Sequence, residues 1–379
     1  VMNILFVTVS TAAYDTGGTI YSYGIMDRVA SYSCMDVLTY DEPEDPNYNY
    51  YNERLRGKVR NIYKVKMTRC DLFKKYFLYR TTFLRYSAAM CAKLEELIGE
   101  KKYDIIIMDH LRMAFPIDIV KKGGCKIVII QHNIETANYN EQLKLKGHLK
   151  YHIKNYGLPL FEKQAMEKAD AIWCITDKDK AYFKSIPELK QKPMFTVTPY
   201  FPYQRKKTNY TARKQLVITG SMNWYPNIEG VEWFATHVFK KILERDGEYK
   251  LYIVGRNPDE KILRLASENI IVTGEVSSVD PYLIESDLLL VPNKLGGGAK
   301  IKIIEGIFKG IPVVVLRPSI AGYEDLIPDE AFIVDNEDEY VKAVLSINDD
   351  TKRKELFVDQ FIKNAIKASD ISGILAKMA

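Results

Sequence analysis

The sequence predicts an α/β protein built as two successive domains, each a mainly parallel sheet covered by helices. Short apolar runs rich in β-branched residues alternate with helical stretches along almost the whole chain, which is the pattern of βαβ units. That rhythm breaks between residues 198 and 213, where Pro199, Pro202 and Arg205-Lys206-Lys207-Thr208 interrupt it, and then it restarts. At 379 residues the chain also exceeds one ordinary domain. The expected domains are residues 1–199 and 200–379, with the last helix packing back on the first domain.

Composition narrows the class. With 47% hydrophobic residues and 26 tyrosines the chain can fill two cores, so disorder is excluded. Cys34, Cys70, Cys91, Cys125 and Cys174 include no C-x-x-C pair and sit mostly among apolar neighbours. Reduced thiols of a cytoplasmic protein are therefore expected, not a zinc site. No run of about 18 apolar residues occurs, so no membrane span is expected. The opening Met2-Asn3-Ile4-Leu5-Phe6-Val7 reads as a strand, not as a signal peptide.

In the first domain, strands are expected at residues 4–9, 37–40, 105–108, 127–130, 171–175 and 194–197. The first runs into a loop ending in Gly17-Gly18 and then a helix to Ala30. Such a glycine-ended loop at a helix N-terminus suits an anion, although the spacing is not G-x-G-x-x-G, which disfavours a dinucleotide site. Residues 54–85 hold eleven Lys or Arg and a single acid, Asp71, with Tyr63, Phe73, Tyr76, Phe77, Tyr79 and Phe83 interleaved. The plain reading is a solvated helix surface with aromatic core contacts. The sharper reading is a basic, aromatic face that meets anionic lipid or an acidic acceptor. Nucleic acid is disfavoured, because no recognition motif accompanies the charge. His110 and His132 each follow a strand end, where open α/β sheets hold their ligands. His148, His152 and His237 fall in helical stretches and read as structural or exposed.

In the second domain, strands are expected at residues 216–219, 251–254, 270–273, 288–291, 313–316 and 332–334. The first ends in Gly220-Ser221-Met222-Asn223 before a helix containing Trp224 and Trp233. The second ends in Gly255-Arg256-Asn257-Pro258 and the third in Gly274-Glu275-Val276. Strand-then-glycine three times marks one rim where loops approach a ligand. The fourth loop is the richest: Pro292-Asn293-Lys294-Leu295-Gly296-Gly297-Gly298-Ala299-Lys300-Ile301-Lys302-Ile303-Ile304-Glu305. Three glycines leave backbone N–H groups open, and the following helix points its positive end at the same spot, which suits a phosphate.

Residues 216–227 (LVITGSMNWYPN), 253–258 (IVGRNP), 271–276 (IVTGEV) and 291–315 resemble the nucleotide-sugar domain of family 4 retaining glycosyltransferases. The likeness is closest to the branch with a GGG-x-K/R-x-K-x-x-E run that serves bacterial polysaccharide assembly. It implies the GT-B fold: two Rossmann-like domains with parallel sheets facing across a deep cleft. It implies retaining, metal-independent transfer of a hexosyl group from a UDP- or GDP-sugar to a hydroxyl of a glycan or lipid-linked acceptor, with no cofactor. By the same resemblance Glu305 binds the donor ribose, and Gly274-Glu275-Val276 meets the base. Gly220, Ser221 and Met222 form the first donor loop, which here lacks the cation many relatives carry, so Lys300, Lys302, Arg256 and helix N-termini must meet the diphosphate. His132 lies by the donor sugar, and Gly17-Gly18 closes over the diphosphate. His132, Lys300 and Lys302 are the implied catalytic set. The family's first glutamate would fall where this chain has Gly297, and the N–H groups of Gly298 and Ala299 take over part of its role. A nucleotide-sugar epimerase and a non-catalytic subunit of the same fold are the alternatives. The expected location is cytoplasmic, peripheral at the inner face of the membrane.

Overall fold

The computed structural model describes residues 1–11, 17–41, 49–143, 148–200, 209–210, 212–294, 300–368 and 370–378. The chain divides into two compact units: Val1–Pro199 with Ser369–Ala379, and Tyr200–Ala368.

Unit 1 is a seven-stranded parallel sheet of β1 (Asn3–Val7), β2 (Cys34–Tyr40), β3 (Asn61–Val65), β4 (Ile105–Asp109), β5 (Lys126–Gln131), β6 (Ala171–Cys174) and β7 (Met194–Thr196), in the order β3-β2-β1-β4-β5-β6-β7. Its helices are α1 (Gly17–Tyr32), α2 (Asn49–Arg56), α3 (Arg69–Tyr79), α4 (Ala88–Glu100), α5 (Ile117–Lys122), α6 (Glu135–Leu143), α7 (His148–Asn155), α8 (Leu158–Lys168) and α9 (Asp177–Ser185). The central strands are apolar on both faces, with Leu5, Phe6, Ile106, Ile107, Val128 and Ile129 fully buried. Each such side chain contributes roughly 1.5–3 kcal/mol of burial free energy, and helices on both sides are what permit continuous apolar runs.

One strand was not expected. β3 lies inside the basic stretch 54–85, which therefore is not a helix surface throughout but a helix, an edge strand and a second helix. β3 pairs with β2 from Asp36↔Asn61 to Tyr40↔Val65. As an edge strand of mixed polarity it has no apolar run to announce it. Its anchor is Asp36, fully buried, which accepts hydrogen bonds from Arg60 (2.9 and 2.8 Å), Asn61 (2.9 Å) and Tyr103 (2.7 Å). Burial alone would raise the Asp36 pKa, but these donors hold it well below the usual carboxylate range.

Unit 2 is a six-stranded parallel sheet of β8 (Gln215–Thr219), β9 (Lys250–Val254), β10 (Ile270–Gly274), β11 (Leu288–Val291), β12 (Val313–Leu316) and β13 (Ile333–Val334), in the order β10-β9-β8-β11-β12-β13. Around it stand α10 (Tyr225–Trp233), continued by a π-helical stretch Phe234–Phe239, then α11 (Lys240–Arg245), α12 (Glu260–Leu263), α13 (Asp280–Glu285), α14 (Ile301–Phe308), α15 (Glu337–Asn348) and α16 (Thr351–Ala368). Trp224 caps α10 instead of lying within it, because Pro226 belongs in a first helical turn. The chain then returns to unit 1 as α17 (Ile371–Met378), which packs on α1 and receives a hydrogen bond from Lys126 to the Met378 carbonyl (2.5 Å).

Each sheet reverses its strand order next to its first strand, between β1 and β4 and between β8 and β11. The crevice outside the carboxyl ends at such a reversal is where a sheet of this kind receives ligands. Among the described residues no helix is long and apolar enough to cross a membrane.

Candidate functional site

At the reversal in unit 1, the ends of β1, β4 and β5 bring Thr8, Asp109, His110 and His132 together. His132 is buried, and its Nε2 lies 2.8 Å from Asp109 Oδ1, while Thr8 Oγ1 donates to Asp109 Oδ2 (2.7 Å). A carboxylate can only accept, so His132 donates from Nε2 and a neutral ring leaves Nδ1 as an acceptor. That atom faces α1: a Cβ added to Gly18 would lie 3.7 Å from it. Tyr21 meets the same imidazole edge-on at 5.0 Å between centroids and is itself anchored by its hydroxyl to the Val197 carbonyl (2.8 Å).

His110 stacks on His132, with ring centroids 4.7 Å apart. Its φ is +73°, a strained value for a residue with a side chain. Its Nδ1 accepts from the Arg112 amide (3.2 Å), which puts the neutral ring's proton on Nε2, 3.7 Å from Glu135 Oε1. Burial, and then the neighbouring His132, push the His110 pKa well below its ordinary value. Burial, and then Glu162, push the Glu135 pKa up. Glu162 holds the loop after β5 in place: its carboxylate accepts from Gln131 Nε2 (2.7 Å), the Glu135 amide (2.9 Å) and Thr136 (2.9 Å from the amide, 2.5 Å from the hydroxyl). It thus caps the N-terminus of α6 with a negative charge.

In unit 2 the rim is made of backbone. Gly220 donates to the Val254 carbonyl (3.1 Å), Gly255 to Gly274 (3.2 Å) and Met222 to Arg256 (3.0 Å). The strand ends approach so closely that a Cβ on Gly255 would sit 1.7 Å from the Gly220 oxygen. Only glycine fits there.

Beside this rim Lys302, at the start of α14, reaches the Thr219 carbonyl (3.3 Å), Asn227 Oδ1 (3.3 Å) and Asn293 Oδ1 (3.0 Å). Asn293 Nδ2 in turn donates to Asn227 Oδ1 (2.9 Å) and to the Pro226 carbonyl (2.8 Å), and Asn227 Nδ2 to the Ser221 carbonyl (2.9 Å). Three neutral acceptors hold the ammonium in place without cancelling its charge. Burial, and then Lys300, lower the Lys302 pKa to about 7. Lys300 is buried with its ammonium 5.3 Å from the centroid of the Trp224 ring. Glu305 accepts from Lys309 (2.6 Å), and Lys309 also meets Asp280 (2.8 Å). Burial works to lower the Lys309 pKa, but Glu305 and Asp280 raise it above the ordinary lysine value.

Of the expected site residues, the fold brings Gly18 to His132, and gathers Gly220, Ser221, Met222 and Arg256 at one strand-end rim with Lys302 beside it. Gly17 opens α1, Glu275 is exposed and Val276 half-buried after β10. Val276 also borders a cavity of about 520 Å³ that extends under α13 to Gln215 and Ser286, away from the rim. Gly297, Gly298 and Ala299 lie outside the described residues. Of the histidines read as structural or exposed, His152 and His237 are both exposed. Sequence reasoning passed over Asp109, Glu135, Glu162, Asn227, Asn293 and Lys309. For Asn293 a signal existed, a polar residue directly after a buried strand.

Residues 213–350, wholly within unit 2, match the model of the family described as Glycosyl transferases group 1. Similar solved structures include TarM, at 14% identity and a TM-score of 0.67, covering 99% of this chain and 97% of that one. HepE of Anabaena in complex with UDP-glucose matches at 13% identity and a TM-score of 0.65, covering 100% of this chain and 98% of that one. The E. coli trehalose-6-phosphate structure bound with UDP-2-fluoro glucose matches at 11% identity and a TM-score of 0.62, covering 99% of this chain and 98% of that one. No curated protein sequence matches the chain. At these identities the structural likeness shows the fold alone, which is GT-B. Together with the matched domain it supports a glycosyltransferase of that fold.

Proposed function

We propose that the protein transfers a hexosyl group from a nucleoside diphosphate sugar, UDP- or GDP-linked, to a hydroxyl of a glycan or lipid-linked acceptor, with retention at the anomeric carbon and without a metal. The observation that carries this is Lys302, a lysine held by three neutral acceptors beside a glycine rim, within the segment that matches the group 1 glycosyl transferases. UDP bound to HepE favours the uridine donor.

In this reading the bond from the anomeric carbon to the diphosphate breaks, the acceptor oxygen takes its place, and the acceptor proton leaves with the diphosphate. Breaking the bond leaves one further negative charge on the diphosphate, so fixed cations and N–H dipoles do most of the stabilising. Lys300, Lys302, Arg256 and the N–H groups of Gly298 and Ala299 are assigned to the diphosphate, and so are Gly17 and Gly18 of unit 1. Gly220, Ser221 and Met222 line the donor, Gly297 leaves room where relatives carry a carboxylate, and Glu275 and Val276 flank the base. Glu305 takes the ribose hydroxyls with the carboxylate that Lys309 steadies. His132 offers Nδ1 to a sugar hydroxyl, and Asp109 fixes the tautomer that makes this possible.

The test is incubation with a panel of UDP- and GDP-sugars, read by thermal stabilisation and by release of free nucleotide. One donor should raise the melting temperature and be slowly hydrolysed; no response to any would sink the reading, and an epimerised donor without transfer would replace it. Glu305→Ala should weaken nucleotide binding about tenfold to a hundredfold, the worth of charged hydrogen bonds to two hydroxyls. Unchanged binding would remove Glu305 from the ribose.

A further inference from the structure

We propose that the outward faces of α3 and α7, with the start of α8, form a docking surface for a bilayer containing anionic lipid. The fold places these segments side by side. Tyr76 donates to the Ile153 carbonyl (2.9 Å), the Thr82 amide to the Lys154 carbonyl (3.0 Å), and the Gly157 amide to the Arg80 carbonyl (3.0 Å). Across them Phe73 is 72% exposed, Phe77 67%, Leu78 60%, Leu149 63%, Ile153 52% and Leu160 61%. Phe73 with Phe77, and Leu149 with Ile153, are four residues apart, so each pair forms a stripe on one helix face. Single exposed apolar side chains are common on soluble proteins; six large ones on adjoining helices mark an interaction surface.

Charge identifies the partner. Lys74, Arg80, Lys150 and Lys154 are exposed among these side chains, and none forms a salt bridge among the described residues. α7 has no acid, and the one acid of α3, Asp71, is buried, accepting hydrogen bonds from Thr68 (2.8 Å) and the Ala88 amide (3.1 Å). Among the described residues the faces of α3 and α7 thus offer cations and apolar groups with no exposed carboxylate, the complement of anionic headgroups above acyl chains. A second copy fits poorly, because a two-fold contact would set the same four cations against themselves.

This surface differs from the basic run read along the sequence. Arg54 and Lys58 pair with Asp27 (2.8 and 2.7 Å) and Arg60 with Asp36 (2.8 Å). Lys75 turns inward and donates to the carbonyls of Thr82 (3.0 Å) and Leu84 (3.2 Å). Those four cations hold unit 1 together, while Lys150 and Lys154 join from a helix outside the run.

The surface does not depend on the donor reading, and UDP binding measured alongside tells the two apart. The purified protein is sedimented with vesicles of phosphatidylcholine alone and of phosphatidylcholine with phosphatidylglycerol. Wild type should bind the anionic vesicles at least tenfold better. Phe73→Ser with Phe77→Ser should lower that binding at least tenfold, and Lys74→Glu with Lys154→Glu should abolish the preference for phosphatidylglycerol. All four side chains are exposed, so circular dichroism and UDP binding should match wild type. Binding that ignores anionic lipid, or that neither double variant changes, overturns the proposal. So does a wild-type dimer that the Phe double variant converts to monomer without any vesicle binding, which would give the face to a second copy.

Discussion

At the carboxyl ends of β4 and β5 the protein places titratable side chains oriented by one another: Asp109 under His132, His110 stacked on it, Glu135 and Glu162 behind. At the carboxyl ends of β8, β9 and β10 it places glycines, and one lysine gripped by amide oxygens. The first rim can hold a proton at a defined atom. The second can bring backbone and positive charge within reach of a ligand that has charge of its own. Two sheets of the same topology thus divide chemistry from charge, and each rim should fail in its own way.

The largest effect is steric. Gly255→Ala places a methyl 1.7 Å from the Gly220 oxygen, and should destabilise unit 2 by about 3 kcal/mol. Gly18→Ala meets only an ordinary contact with His132 at 3.7 Å, and should cost under about 1 kcal/mol. Urea unfolding of both variants measures the contrast, and equal losses would dissolve it. Next, Asp109→Asn should cut turnover about a hundredfold and shift its pH profile, since the His132 tautomer is no longer fixed. Nucleotide affinity should stay unchanged. Lys302→Met should do the reverse, weakening nucleotide binding about tenfold to a hundredfold. Titration calorimetry and initial rates on the two variants separate these outcomes.

The smallest effect is one of pH. With a pKa of about 7 in the free protein, Lys302 must take up a proton to meet a diphosphate above neutrality. The nucleotide dissociation constant should then rise by up to about tenfold per pH unit above 7. Calorimetry in buffers of different ionisation enthalpy would reveal the proton; no uptake would make Lys302 a strut only. The same group has a signed effect on stability. Its folded pKa lies below its ordinary 10.5, so its penalty is full below about pH 7 and fades as pH rises towards 10.5.

Both sheets were legible because their inner strands are covered on two faces and read as apolar runs. β3 was not, since Asn61–Val65 pairs along one edge only and its anchor, Asp36, lies 25 residues away. The strand-end histidines and glycines stood out by position. Their partners did not. Asn227 and Asn293 are 66 residues apart, Asn227 and Lys302 75, Gln131 and Glu162 31. An Asn in a helix or a Glu in a lysine-rich stretch becomes informative only when the fold sets it against its counterpart. The basic run misled in the opposite direction, because charge counted along the chain ignores that Arg54, Lys58 and Arg60 face buried acids.

The return of α17 to unit 1 bears on biosynthesis. Ile371, Ile374, Leu375 and Met378 are buried on that unit, and α17 packs on α1. A ribosome delivers all of unit 2 before it delivers these residues. The newborn first unit must therefore wait, with the apolar bed beside α1 uncovered, while its neighbour is made. Unit 2 is in this sense a guest inside its host's sequence, and the host closes last. Chaperones that recognise apolar surface should find their binding window during that interval.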